Sequence, residues 1–143
     1  MKARKILLIH GPNLNLLGIR DPNIYGKESQ DELFNFISLS FPEIKFVFFQ
    51  SNHEGLIIDK IHENKDWADA MIVNAGAFSH YSYAIRDAIE AVNIPTIEVH
   101  LSDVNSRENF RKKLILSDVC FDTISGRGKQ GYLDAVRKLQ GIK

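Results

Sequence analysis

The chain has 143 residues, which predicts a single domain over 1–143, and its 44% of hydrophobic residues excludes a disordered polypeptide. Its 18 basic and 18 acidic side chains balance, which argues against a nucleic-acid-binding protein because such proteins carry a basic excess. No stretch approaches the roughly 20 apolar residues of a membrane span. The single cysteine, Cys120, excludes an internal disulfide and favours a reducing, cytoplasmic location.

Apolar runs alternate with segments of helical periodicity along the whole chain. The runs predict strands over 6–9, 44–49, 70–73, 95–101 and 119–124. Helices are predicted after the capping box Ser29-Gln30-Asp31-Glu32 and over 56–64, 82–92, 106–113 and 131–139. Such alternation predicts an α/β fold, a flavodoxin-like doubly wound five-stranded parallel sheet of order 2-1-3-4-5 in three α/β/α layers. The functional site of such a sheet is expected beyond the carboxyl ends of its strands.

The connection after the first strand is unusually long. About eighteen residues separate Ile9 from the capping box, whereas such loops usually have about 2–6. Arg20 and Tyr25 lie five residues apart on this loop. Because a nearby guanidinium favours the phenolate form of a tyrosine, Tyr25 is a candidate general base. A surface arginine and a packing tyrosine remain the alternative.

The fourth strand places two polar side chains on one buried face. Side chains alternate along a strand, so Glu98 and His100 point to the same side. A buried carboxylate needs a partner, and His100 is the adjacent candidate. A carboxylate that orients a histidine and stabilises its protonated form makes it an effective general acid. A purely structural Glu–His pair is the alternative.

Two further features are expected at the same edge of the sheet. Arg107 and Arg111 are spaced i, i+4 on the predicted short helix, and with the helix N-terminus they predict an anion site, two solvated arginines being the alternative. Asn74 at a strand end and His80 near a helix start are suited to bind hydroxyl groups. These features converge on a site for a small anionic ligand.

Other functions of this fold class lack their motifs here. The first loop has no Ser or Thr between Gly11 and Gly18 to bind a flavin phosphate. His10 and Asn74 stand where a phosphoacceptor domain needs acidic residues. No Walker loop is present, and the glycines of 126–131 follow the last strand without a ribose-binding acid. No metal-ligand spacing is found, so no metal is expected.

A longer pattern runs from about residue 6 to residue 139. It consists of Gly11-Pro12-Asn13-Leu14-Asn15-Leu16-Leu17-Gly18, Arg20, Tyr25-Gly26, Asn74-Ala75-Gly76, His80, Arg86-Asp87-Ala88, Glu98-Val99-His100-Leu101-Ser102, Arg107-Glu108, Phe110-Arg111 and Gln130-Gly131-Tyr132. This pattern closely resembles the type II 3-dehydroquinate dehydratases. The resemblance implies a hydro-lyase that reversibly converts 3-dehydroquinate to 3-dehydroshikimate by anti elimination through an enolate, in the shikimate pathway of aromatic amino acid biosynthesis.

The resemblance also implies roles for particular residues. Tyr25 is the base that removes the proton α to the ketone, and Arg20 holds it as phenolate. Asn13 holds a water that hydrogen-bonds to the enolate oxygen. His100, oriented by Glu98, protonates the departing hydroxyl. The expected substrate-binding residues are Asn74, His80, Asp87, Leu101, Ser102, Arg107 and Arg111, with Asp87 reaching a neighbouring subunit's site.

No cofactor is implied by this resemblance, because acid–base groups suffice for the chemistry. The expected partners are the substrate 3-dehydroquinate and copies of the same chain, in a homododecamer built as a tetramer of trimers. The second strand, at the edge of the predicted sheet, gives an independent reason for assembly, since an apolar edge needs a cover. A catabolic role in quinate breakdown and a non-catalytic carboxylate-binding module are the alternative functions.

Overall fold

A computed structural model of the chain describes residues 2–141, in which strands alternate with helices. The strands are β1 (Lys5–His10), β2 (Lys45–Gln50), β3 (Ala70–Asn74), β4 (Thr96–His100) and β5 (Asp122–Ser125). The helices are α1 (Pro22–Tyr25), α2 (Gln30–Ser40), α3 (Glu54–Glu63), α4 (Tyr83–Val92) and α5 (Gln130–Gln140). All neighbouring strands pair in parallel in the order β2-β1-β3-β4-β5, which confirms the predicted topology.

The sheet separates two hydrophobic layers, and the alternation of side chains along β1 illustrates why. Ile6 and Leu8 belong to the cluster that includes α2 and α5, whereas Leu7 and Ile9 belong to the cluster with α3 and α4. All four side chains are fully buried. A strand covered on both faces needs apolar residues at successive positions, which explains its continuous apolar sequence. Among the described residues, no helix combines the length and apolarity needed to cross a membrane.

The helix α2 begins where the sequence predicts. Ser29 Oγ accepts a hydrogen bond from the backbone N–H of Glu32, and the Glu32 carboxylate accepts one from the backbone N–H of Ser29. This capping box satisfies donors that have no partner within the helix. It therefore fixes where the long first loop ends.

The predicted helix over 106–113 is wrong. The described chain between β4 and β5 instead forms three short 3₁₀ turns, at Val104–Ser106, Asn109–Lys112 and Ser117–Val119. The Asp103 side chain caps the first turn, and Arg107 after it has extended backbone, which interrupts any helix. The fifth strand consequently begins at Asp122 rather than at 119. No long helix therefore presents its N-terminus to an anion in this segment.

Close backbone contact joins the loops after β1 and β3. A Cβ atom added to Gly11 would lie 2.1 Å from the backbone oxygen of Ala75, so only glycine fits at this position. Gly76 has a φ of +59°, a left-handed conformation that glycine adopts without strain. The two loops thus form one wall at the carboxyl edge of the sheet.

Candidate active site

A cleft opens at the carboxyl ends of β1, β3 and β4. This is the edge at which doubly wound sheets bind ligands. Ten of the predicted site residues line it: Asn13, Arg20, Tyr25, Asn74, His80, His100, Leu101, Ser102, Arg107 and Arg111. The remaining lining residues, which had no predicted role, are Pro12, Leu14, Gly76, Ala77 and Val104.

Arg20 and Tyr25 form a direct pair on the first loop. Asp21 caps the one-turn helix α1, which carries Tyr25 in its last position. Arg20 Nη2 donates to Tyr25 Oη at 2.6 Å, and the Arg20 guanidinium carbon lies 3.7 Å from the centre of the Tyr25 ring. Burial lowers the pKa of Arg20, an effect that the phenolic oxygen of Tyr25 opposes. The pair therefore places a positive charge against the oxygen of a candidate base.

Two more arginines line the same cleft. The Arg107 guanidinium lies 5.1 Å from the centre of the Tyr25 ring, and among residues 2–141 its buried Nε has no hydrogen-bond partner. Arg111 Nε donates to the exposed Glu108 carboxylate at 3.0 Å. Although the predicted helix is absent, its two arginines still meet in the cleft. Arg107 Nε also lies 3.8 Å from Glu108 Oε1, so one exposed carboxylate faces both arginines, and their two positive charges suit an anionic ligand.

Glu98 and His100 form the predicted pair on β4. His100 Nε2 lies 2.6 Å from Glu98 Oε2, and Glu98 is fully buried behind the histidine rather than on the cleft surface. Its other oxygen, Oε1, accepts hydrogen bonds from Ser117 Oγ at 2.8 Å and Thr123 Oγ1 at 3.4 Å. Neither hydroxyl was predicted from the sequence. The β4–β5 register, in which Glu98 faces Thr123, is the signal that locates the second one.

Asn74 and His80 line the adjacent wall. His80 Nδ1 donates to the backbone carbonyl of Lys113 at 2.9 Å, and burial is the main cause that lowers the pKa of this histidine. The ring is therefore neutral near pH 7, and its Nε2 is an acceptor. Asn74 Oδ1 accepts a hydrogen bond from the backbone N–H of Gly76 at 3.2 Å. Both side chains thus present groups suited to substrate hydroxyls.

Asn13 sits at a tight turn on the rim of the cleft. Its φ of +69° is a left-handed conformation that asparagine tolerates better than most residues. Its backbone N–H donates to Asn52 Oδ1 at 3.0 Å, and Gln50 at the end of β2 donates to the Gly11 carbonyl at 3.1 Å. Asn52 and Gln50 are supporting residues that the sequence analysis missed. They fasten the first loop to the neighbouring strand.

Two predicted site residues do not line this cleft: Glu98 contacts the lining residue His100, whereas Asp87 lies apart. It is exposed on α4 and contacts Arg86, whose Nη1 donates to Asp87 Oδ1 at 3.1 Å. Its predicted role concerns a neighbouring subunit's site. Within residues 2–141, no group of three or more His, Cys, Asp or Glu side chains is arranged to hold a metal ion.

Comparison with known proteins agrees with this geometry. A family model described as dehydroquinase class II matches residues 4–140. The chain is 54% identical to a 3-dehydroquinate dehydratase of Caldicellulosiruptor bescii, over 97% of this chain and 98% of that protein. It is 48% identical to a catabolic 3-dehydroquinase of Botryotinia fuckeliana, over 95% and 92%. The crystal structure of type II dehydroquinase from Butyrivibrio crossotus superimposes with a TM-score of 0.92 at 50% identity, covering 94% and 96%.

Proposed function

The chain belongs to the class II dehydroquinase family, and from that premise we propose how its cleft removes water from 3-dehydroquinate. Its function is that of a type II 3-dehydroquinate dehydratase, a hydro-lyase of the shikimate pathway. The C. bescii relative, at 54% identity, is named simply as a dehydratase, whereas the fungal relative that is named as catabolic is 48% identical. A catabolic role is therefore not favoured.

Tyr25 is the base of the first step. The substrate is a β-hydroxyketone, so removal of the proton α to the ketone gives an enolate. The Arg20 contact at 2.6 Å supports the phenolate that accepts this proton. Arg107 adds a second positive charge beside the ring, 5.1 Å from its centre. Positive charges fixed before the reaction stabilise the negative charge that develops in the transition state.

Asn13 helps to stabilise the oxygen of the enolate. We assign to its side chain the binding of a water that donates to the enolate oxygen. Its place on the cleft rim, held by the hydrogen bond to Asn52, supports this assignment. Hydrogen bonds to a developing oxyanion are a common source of transition-state stabilisation.

His100 is the acid of the second step. Glu98 engages Nε2, so Nδ1 is the ring nitrogen left to deliver a proton to the departing hydroxyl. Loss of that hydroxyl as water completes the double bond conjugated with the ketone. The buried carboxylate stabilises the imidazolium that this step consumes.

The remaining lining residues bind the substrate before either step. Arg107 and Arg111 bind its carboxylate together with the backbone at Leu101 and Ser102, and Asn74 and the neutral His80 bind its hydroxyls. Asp87 contributes to a neighbouring subunit's site. We assign all of these roles to a single catalytic domain that spans 1–143.

One observation carries the proposal, namely that a single cleft holds a Tyr25–Arg20 pair and a His100–Glu98 pair. The test is an ultraviolet assay for the conjugated enone product after addition of 3-dehydroquinate. Borohydride added with the substrate should leave the enzyme active, because no lysine lines the described cleft to form a Schiff base. Trapping of the substrate on a lysine would contradict the enolate mechanism.

We also propose that the chain assembles as a homododecamer, a tetramer of trimers, in the cytoplasm. The edge position of β2, whose residues after Lys45 are half-buried, supports assembly because uncovered edges pair with other chains. The free thiol of Cys120 supports a reducing compartment. A monomeric mass in analytical ultracentrifugation would contradict the assembly.

A further inference from the structure

We propose that Tyr132, backed by His10, is a positioning residue that fixes the orientation of the Asn74 carboxamide toward the substrate. The inference rests on the proposed role of Asn74 in substrate binding. His10 and Tyr132 are both fully buried, and none of the steps described above uses them. A buried polar group costs free energy unless it is hydrogen-bonded, so the partners of these two side chains indicate their role.

A chain of hydrogen bonds runs from α2 through the interior to the cleft. The side-chain amide of Gln30 lies 2.9 Å from His10 Nδ1, and the other ring nitrogen, Nε2, faces α5. That nitrogen lies 2.8 Å from Tyr132 Oη. The same oxygen accepts a hydrogen bond from Asn74 Nδ2 at 3.0 Å. A single hydroxyl on α5 therefore connects the end of β1 with the wall of the cleft.

The orientation of Asn74 depends on contacts at both ends of its carboxamide. A half-turn of this group exchanges its donor and acceptor ends at almost no steric cost. Tyr132 Oη holds the nitrogen end, and the backbone N–H of Gly76 donates to the oxygen end. The two contacts select the same orientation. The second N–H and the remaining lone pair of the carboxamide are thereby presented to the substrate in one fixed arrangement.

Burial keeps the network uncharged, which fits positioning rather than proton transfer. His10 and Asn74 are opposite each other in the β1–β3 register, and the Phe34 ring lies 4.9 Å from the His10 ring, centre to centre. Burial lowers the pKa of His10 to about 3 and raises the pKa of Tyr132. The imidazole therefore stays neutral and the phenol stays protonated while the enzyme works.

The test removes only the connecting oxygen. In Tyr132→Phe, we expect the KM for 3-dehydroquinate to rise about fivefold, the equivalent of one hydrogen bond, with kcat changed by less than about twofold. Asn74→Ala should raise KM by more than that. In the Asn74→Ala background, Tyr132→Phe should have no further effect, because the group that it positions is gone. Steady-state kinetics of the four proteins measures this coupling.

A purely structural role would give a different result. Ile37→Val is the control, because Ile37 is fully buried in the same core but does not line the cleft. It should lose stability without any change in KM. An unchanged KM in Tyr132→Phe, or effects of Tyr132→Phe and Asn74→Ala that multiply independently, would overturn the inference. An unchanged KM in Asn74→Ala would instead show that Asn74 does not bind substrate, and both proposals for it would fall.

A second variant keeps the test decisive if Tyr132→Phe does not fold. His10→Leu removes the ring nitrogen that contacts Tyr132 Oη and leaves an apolar side chain of similar size at a fully buried position. We expect KM to rise about twofold, because the Tyr132 hydroxyl loses one of its two partners. A KM equal to that of the wild-type enzyme would overturn the role of His10.

Discussion

The two halves of the cleft are built in different ways. Asn74 and His100 are the last residues of β3 and β4, and Glu98 lies within β4, so sheet register and buried partners hold each side chain. Arg20 and Tyr25 lie on a long loop that is only partly buried, and their closest polar contact is with each other. Strand ends give precise positions for the acid, while a loop allows the base to be brought to the substrate after it has bound. Four predictions test this contrast.

Loss of the base should have the largest effect. Tyr25→Phe removes the phenolic oxygen that Arg20 contacts, so we expect kcat to fall about 10⁴-fold. Binding of 3-dehydroquinate should remain, because the cleft residues on β3 and β4 and Arg107 are intact. Calorimetry with 3-dehydroquinate measures this binding. Tyr83→Phe, on the exposed face of α4, is the matched control. A nearly normal rate in Tyr25→Phe would show that the loop half does not supply the base.

Loss of the acid should separate the two steps. His100→Gln retains a donor for Glu98 but cannot deliver a proton, so we expect elimination to fall about 10³-fold. Exchange of the α-proton with deuterated solvent, followed by NMR, should continue because Tyr25 is unaffected. His62→Gln, on an exposed position of α3, serves as the control. If exchange and elimination disappear together, the assignment of one step to each half is wrong.

His10, paired with Asn74 in the β1–β3 register, should make the protein sensitive to acid. Burial lowers the pKa of His10 from 6.5 to about 3, so between these values the unfolded chain binds a proton that the folded chain does not. Stability is therefore full above pH 6.5 and falls as the pH decreases, by about 3 kcal/mol at pH 4.5. Urea unfolding at pH 7 and pH 4.5 measures this loss, which His10→Gln should reduce and His62→Gln should not. Equal losses in the wild type and His10→Gln would contradict a neutral, buried His10.

The smallest effect is expected from loss of the hydroxyl groups that hold Glu98 behind His100. Ser117→Ala removes the 2.8 Å hydrogen bond to Glu98 Oε1, so the carboxylate orients His100 less well. We expect kcat to fall about tenfold with little change in KM. Thr123→Val, which removes the weaker contact at 3.4 Å, should reduce kcat less. The reverse ranking, or an unchanged kcat in both variants, would show that Glu98 needs no support.

The sequence pattern of β4 predicted the Glu98–His100 pair but not the residues that support it. The alternation along β4 placed Glu98 and His100 on one face because a two-residue period is a local property. Ser117 and Thr123 were missed because they reach Glu98 from 19 and 25 residues further along the chain. The spacing of Arg107 and Arg111 was read as helical, yet extended backbone at Arg107 also brings both into the cleft. The side-chain cap from Asp103 favours a short 3₁₀ turn in that segment, and the spacing of the arginines does not reveal this cap.

The sequence by itself determined the α/β class and the strand order, because periodicity, capping and topology rules are properties of neighbouring residues and chain connectivity. Local spacing singled out part of the cleft, such as Tyr25 and His100, whereas Asn13, Leu101 and Ser102 were expected only from the family resemblance. Tertiary structure decided which side chains face one another. Tyr132 meets His10 across 122 residues of chain, and Tyr132 meets Asn74 across 58. Such contacts depend on how α5 packs against β3 and β4, and that packing follows from the complementary shapes of whole surfaces.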